Sequence, residues 1–153
     1  MKTVFRLSKE EYSKELSGVG ASIYGGRWNS KGFELIYTSE SRALAMSELL
    51  VHLPIGLLPN NYKIITIGIP DNLNIETIDI SSLTSSWNLF PFTENTKSFG
   101  NNFILANNNP ILRVPSAIIK EEYNYLLNPH HKDFKKIKIL KVEDFIFNDR
   151  LFK

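Results

Sequence analysis

Gly18, Gly20, Gly25, Gly26 and Gly32 crowd into one short stretch of a chain that has eight glycines in all. Regular elements do not tolerate that density, because glycine gives up the most backbone freedom on ordering and packs no side chain. Residues 18–32 therefore read as a loop able to approach a ligand closely or to adopt positive φ. The rest of the fold has to be arranged around it. The loop runs into FELIYTS (33–39), an apolar strand, and then into a helix capped by Ser39 or Ser41. That helix reaches about His52 and stops before Pro54.

Upstream, TVFRL (3–7) is β-like, and Ser8 and Glu11 have capping-box spacing for a short helix over 8–16. Downstream, NYKIITIGIP (61–70) and LNIETIDI (73–80) read as strands and SSWNLFPF (85–92) as irregular and aromatic. TKSFGNNFILAN (96–107) reads as a helix despite Gly100, and PILRVPSAII (110–119) as a strand broken at Pro115. EEYNYLLNPHHKDF leads into KKIKILKV (135–142), where Lys and Ile alternate at the period of a strand and the lysines blunt an edge. DFIFNDRLF closes the sequence. No repeat or linker divides it, so residues 1–153 are expected to form a single domain. Strands outnumber helices without regular alternation, which predicts an α+β domain rather than a doubly wound parallel sheet.

Several chemistries are excluded or left without a signal. The chain has no cysteine, which rules out disulfides, thiolate catalysis and sulfur-ligated zinc. A net charge of +2 gives no broad footprint for nucleic acid. The local run of Lys132, Lys135, Lys136, Lys138 and Lys141 is explained by the edge strand. The segment MKTVFRLSKEEYSKEL has neither a signal-peptide core nor a membrane span, so a cytoplasmic protein without membrane contact is expected. GVGASIYGG misplaces the third glycine of the dinucleotide fingerprint, and GGRWN lacks the Gly-Lys-Ser/Thr ending of a P-loop. His130 and His131 point opposite ways on an extended chain and, with Asp133, read as a surface turn; no metal site is expected. Ser116 in VPSA lacks the Gly-x-Ser-x-Gly elbow and, taken alone, reads as a turn or capping residue after proline.

Arg27, Tyr37 and Glu48 remain. Singly, each has an ordinary use: a loop carbonyl for Arg27, a core position for Tyr37, a salt bridge for Glu48. Together they suit one chemistry. A guanidinium beside glycine amides recognises a phosphate or a ribose diphosphate. A tyrosine ring can stack on a flat heterocycle. A carboxylate in a poorly solvated pocket can stabilise an oxocarbenium ion. The set fits cleavage of an N-glycosidic bond in a dinucleotide.

The segment GGRWNSKGFELIYTSESRALAMSELLVH closely resembles the RES domain, named for its arginine, glutamate and serine. The likeness continues through TKSFGNNFILANNNPILRVPSAIIKEEYNYLLNPHH to FNDRLFK, and so covers nearly the whole chain. The family's arginine falls on Arg27, its tyrosine on Tyr37, its glutamate on Glu48 and its serine on Ser116; Asn124 and Asn128 also match. The resemblance implies a toxin of a bacterial type II toxin–antitoxin system, paired with an Xre-like helix-turn-helix antitoxin. It implies an ADP-ribosyltransferase-like split β-sheet core flanked by a few helices, and degradation of NAD+ by hydrolysis or phosphorolysis. A runner-up activity is ADP-ribosylation of a protein; an inactive binding module is a third reading.

On that resemblance Arg27, Glu48 and Ser116 are the catalytic candidates, and Tyr37, Gly26, Trp28, Asn29 and Asn124 the substrate-binding ones. Arg27 would hold a phosphate or the nicotinamide-side ribose, Tyr37 would pack on nicotinamide, and Ser116 would help orient the ring or ribose. Glu48 would accept a hydrogen bond from a ribose hydroxyl and stabilise the growing cation. NAD+ would be the substrate, with no separate cofactor. Any DNA contact would come only through the antitoxin, and a homodimer is compatible with the family. SSWNLFPF fits the family's tryptophan-containing stretch only loosely, which leaves the acceptor least constrained.

Overall fold

Backbone pairing joins strands distant in sequence into one mixed sheet with the order β4-β5-β6-β2-β1-β3-β7. The computed structural model describes residues 1–54 and 56–152. The strands are β1 (Lys2–Lys9), β2 (Ile36–Ser39), β3 (Tyr62–Ile69), β4 (Ile75–Thr77), β5 (Ile111–Pro115), β6 (Tyr123–Leu127) and β7 (Lys138–Phe145). The helices are α1 (Val19–Tyr24), α2 (Arg42–Leu50) and α3 (Glu94–Ala106). β4 and β5 are parallel, and the other pairings are antiparallel. The domain is α+β, as its mix of elements predicts.

The sheet is two leaves joined by a thin seam. β1 pairs with β3 along its whole length, from Lys2↔Ile69 to Lys9↔Tyr62. It meets β2 at the single pair Phe5↔Ser39. This seam gives the split core its form. The leaf of β5, β6 and β2 buries both faces, because consecutive apolar residues point to opposite sides of a strand. Ile36, Ile111 and Leu127 join Val4, Ile65 and Ile67 in one core cluster. Their neighbours Leu35, Leu112 and Leu126 join Trp28, Trp87 and Phe103 in the other. α3 covers that second face and crosses so close to the glycine loop that a Cβ on Gly100 would lie 1.6 Å from the Trp28 carbonyl oxygen.

Several local expectations are corrected. Residues 8–16 do not form a helix: β1 continues to Lys9, a single 3-10 turn follows at Glu10–Tyr12, and Ser8 is buried in the strand. Extending the ladder satisfies backbone groups at once, whereas a helix this short cannot offset its nucleation cost. The glycine loop contains the short helix α1, ended by Gly25 at φ 73°. The strand expected over 73–80 shrinks to β4. β6, which no pattern in the sequence marks, lies between β5 and β2. Ser41 rather than Ser39 caps α2, its hydroxyl accepting from Leu44 N at 3.0 Å. The lysine-rich strand is the edge strand β7. No described helix is long and apolar enough to cross a membrane.

Candidate active site

A cavity of about 440 Å³ opens along the seam, within the range that holds a small-molecule ligand. α2 contributes Ala45, Glu48 and Leu49 to its wall, at the i, i+3, i+4 spacing of one helix face, and His52 joins them from the turn just past its end. Glu48 is therefore placed by helical periodicity among apolar neighbours, at the end of α2 nearest the glycine loop's Arg27. Its Oε1 accepts two hydrogen bonds, from Ser116 Oγ at 2.7 Å and Asn124 Nδ2 at 2.8 Å. Ser39 Oγ donates to Asn124 Oδ1 at 2.7 Å, which turns the amide so that its NH2 faces the glutamate. Both donors converge on one oxygen, so Oε2 remains for a ligand.

Ser116 serves two of the roles expected of it. It follows Pro115, and its Oγ accepts from Ile118 N at 3.0 Å and Ile119 N at 3.1 Å, which caps the turn after β5. The same hydroxyl donates to Glu48. It is 5% exposed and does not reach the cavity wall, so it positions the glutamate rather than touching a ring or ribose. Ser116→Ala is expected to lower turnover about 10-fold and stability by about 1 kcal/mol, because one carboxylate donor and one turn cap are lost together. Steady-state kinetics beside a urea melt check this; unchanged turnover would remove Ser116 from the site.

Tyr37, on β2, lines the cavity with its ring while its hydroxyl braces the loop. The hydroxyl accepts from Trp28 N at 3.2 Å and donates to Asn29 Oδ1. Gly26 is required beside it, since a Cβ there would sit 2.7 Å from the Tyr37 oxygen. Asn29 is 0% exposed and spends its amide on Ala21 O at 2.8 Å and Phe33 O at 3.1 Å. Trp28 is 3% exposed and packs against Trp87, ring centroids 6.2 Å apart. The Asn29 amide is thus spent in holding the loop, whereas Trp28 both packs on Trp87 and lines the cavity.

Burial pushes the Tyr37 phenol well above its ordinary value, against the opposing pulls of the Trp28 N–H and the Arg27 charge. Alkaline absorbance titration should show a component that ionises far above about pH 10 and disappears in Tyr37→Phe. A profile identical in the variant would contradict this burial.

Arg27 also combines two uses. Nη1 donates to Trp87 O at 2.7 Å and Leu89 O at 3.0 Å, and the guanidinium lies 4.8 Å from the centre of the Phe92 ring. The loop-carbonyl role is therefore real, and Arg27 lines the cavity as well. Burial pulls its pKa down, while the nearby Glu48 and Tyr37 act to raise it. Arg6, His52 and Phe92 also line the wall and were not singled out from the sequence. Arg6 had one sequence signal, a charge inside the apolar run TVFRL; the aromatic segment around Phe92 offered no periodicity.

Asn128 lies elsewhere, buried, donating to Asn107 Oδ1 at 2.8 Å and accepting from His130 N at 2.9 Å. The reading of both histidines as surface residues is corrected for His131, which is 8% exposed and whose Nδ1 accepts from Asp133 N at 3.0 Å. Among the described residues no three His, Asp or Glu side chains group closely enough to hold a metal ion.

The sequence model of the RES domain matches residues 3–148. A Prs ADP-ribosylating toxin from Sphingobium sp. (strain YBL2) is 39% identical over 91% of this chain and 88% of its own length. A protein called Toxin Res from Photorhabdus laumondii is 38% identical over 98% of this chain and 97% of its own. In structure, the chain is similar to one in the M. tuberculosis MbcT–MbcA toxin–antitoxin complex, with a TM-score of 0.75 and 18% identity. That superposition covers 99% of this chain and 86% of the other, a likeness of fold.

Proposed function

This chain belongs to the RES domain family, and on that premise we propose that it is the toxin of a bacterial type II toxin–antitoxin pair. It acts as an NAD+ glycohydrolase or phosphorylase, releasing nicotinamide and arresting growth by depleting the dinucleotide. The observation that carries this reading is that Glu48 is the one acid among the described residues lining the cavity. Breaking an O-glycosidic bond takes two carboxyl groups, because the leaving oxygen needs a proton. The nicotinamide of NAD+ is already a cation. When its C1′–N bond breaks, the electron pair goes to the ring nitrogen and nicotinamide leaves neutral. No acid is required.

The positive charge passes instead to the ribose. One carboxylate suffices there, held in a site with little water where its field acts strongly. Oε2 of Glu48 accepts from a ribose hydroxyl while Ser116 and Asn124 hold Oε1. Tyr37 offers its ring to nicotinamide, and Arg27 meets the ribose side of the substrate. Water or inorganic phosphate then adds to C1′, and the proton of an attacking water passes to solvent. A mass-spectrometric time course of NAD+ with purified protein, with and without phosphate, tests this. ADP-ribose, or ADP-ribose bearing one more phosphate, names the acceptor; unaltered NAD+ in both conditions defeats the reading.

Transfer of ADP-ribose to a protein is the second reading, favoured by the name of the Sphingobium relative. Labelled NAD+ separates the two, since transfer leaves label on protein. The partner is an antitoxin of helix-turn-helix type, which carries any DNA contact of the assembly whether the toxin is a monomer or a homodimer. The solved neighbour comes from a toxin–antitoxin complex. Large apolar side chains are exposed about the cavity mouth: Tyr24 lines it, and Phe90 packs edge-on to the lining Phe92. Covering them would close the cavity.

A further inference from the structure

Arg27 and Trp28 form the apex of a tight turn, closed where Gly26 N donates to Asn29 O at 2.9 Å. The Asn29 amide braces this turn from within the loop. The next residue, Ser30, is held from outside it. Asn101 of α3, 71 residues further along the chain, meets Ser30 at two points. Its Oδ1 accepts from Ser30 N at 2.9 Å, and its Nδ2 donates to Ser30 Oγ at 2.8 Å. One amide so engaged at both ends fixes orientation as well as distance, where a single hydrogen bond leaves a pivot. The preceding helix residue, Gly100, lies against the Trp28 carbonyl. Consecutive residues of α3 therefore dock on either side of Asn29. Neither Ser30 nor Asn101 lines the cavity, so the contact acts on the loop and not on a ligand.

We propose that Asn101 is a positioning residue for the reaction: it pins the turn at Ser30 and thereby sets where Arg27 presents its guanidinium. This rests on the reading of the cavity as an NAD+ site in which Arg27 meets the ribose side of the substrate. The carbonyls of Trp87 and Leu89 hold the guanidinium itself. An arginine stem has enough rotamers to reach them from more than one place, so they do not fix its Cα. The clamp removes that freedom, and small displacements of a substrate-holding group are costly to turnover. The competing role is purely structural, a strap from α3 to the loop without consequence for Arg27.

Nicotinamide-release kinetics, Tm and the indole N–H resonances of wild type, Asn101→Leu and Asn101→Asp distinguish these. Asn101→Leu keeps the volume and breaks both bonds. It should lower kcat/KM about 10-fold, mainly through KM, because Arg27 contacts ground state and transition state alike. Asn101→Asp should recover most of this, since its two oxygens accept from Ser30 N and from a Ser30 hydroxyl turned to donate. The chain has two tryptophans, and the indole signal of Trp28, which shares the apex with Arg27, reports the turn without any turnover. That signal should move in Asn101→Leu and return in Asn101→Asp. Unchanged KM in Asn101→Leu would overturn the proposal, as would a loss that Asn101→Asp fails to recover while Tm falls in both. If Asn101→Leu does not fold, Ser30→Ala carries the test by removing the hydroxyl arm alone: KM raised about threefold supports the clamp, and unchanged KM overturns it. Wild type that releases no nicotinamide sinks the reading of the cavity instead, while the indole shift still shows whether Asn101 sets the turn.

Discussion

Glu48→Gln is expected to slow nicotinamide release by about 10²- to 10³-fold, the usual cost of deleting one preorganised electrostatic stabiliser. The substitution is chosen for what it keeps. A glutamine oxygen can still accept from Ser116 and Asn124, so the hydrogen bonds at 2.7 and 2.8 Å survive and the wall of the cavity stays in place. What disappears is the negative charge opposite the forming ribosyl cation. That interaction is made mainly in the transition state, so kcat should fall while KM for NAD+ stays close to its starting value. Single-turnover release of nicotinamide, measured beside Tm, checks both halves. Full turnover in the variant would remove Glu48 from the chemistry, and a collapse of Tm would mark it as structural.

Gly100→Ala should destabilise the domain by roughly 3 kcal/mol or more, at the upper end of what overpacking costs. Inside an ordinary helix the same change is favourable by about 1 kcal/mol. The sign reverses because the new Cβ would lie 1.6 Å from the Trp28 carbonyl oxygen and 2.7 Å from its carbon. These are backbone atoms and cannot rotate aside. Either α3 retreats from the sheet, or the glycine loop carrying Arg27 is displaced. Urea unfolding measures the loss, and a nicotinamide-release assay at low temperature shows whether the surviving fold keeps its loop. A stability equal to wild type would mean that α3 and the loop do not meet as closely as described.

The path from sequence to site was open where chemistry is local and closed where pairing is long-range. Arg27, Tyr37 and Glu48 stand out in sequence because a loop, a strand and a helix follow one another directly. Lysines alternating with isoleucines announced an edge strand, since period two is visible within one segment. β6 was not legible: Tyr123–Leu127 mixes polar and apolar residues without alternation, and what makes it a strand is β2 on one side and β5 on the other. Ser39 and Ser41 are both candidate helix caps in sequence, because nothing near Ser39 reveals its partner Asn124. That the Asn29 amide is spent inside the loop and that Trp28 packs on Trp87 are hidden in sequence for a related reason. Residues beside a catalytic arginine can be fixed in place because they hold it, and burial alone separates the two cases.

The partners of the site come late in the chain. Glu48 waits for Ser116, 68 residues further on, and for Asn124, 76 further on. Arg27 docks on carbonyls 60 and 62 residues downstream. A ribosome delivers these segments in order, over seconds. A nascent chain that has exposed its arginine, tyrosine and glutamate still lacks the donors that orient the carboxylate and the strand on which β2 pairs. The site therefore cannot assemble before residue 124 has emerged, and a translation product interrupted earlier is inert. For a protein that we propose to poison its own cell, this topology ties harm to a chain that has passed Asn124 and leaves shorter nascent chains silent.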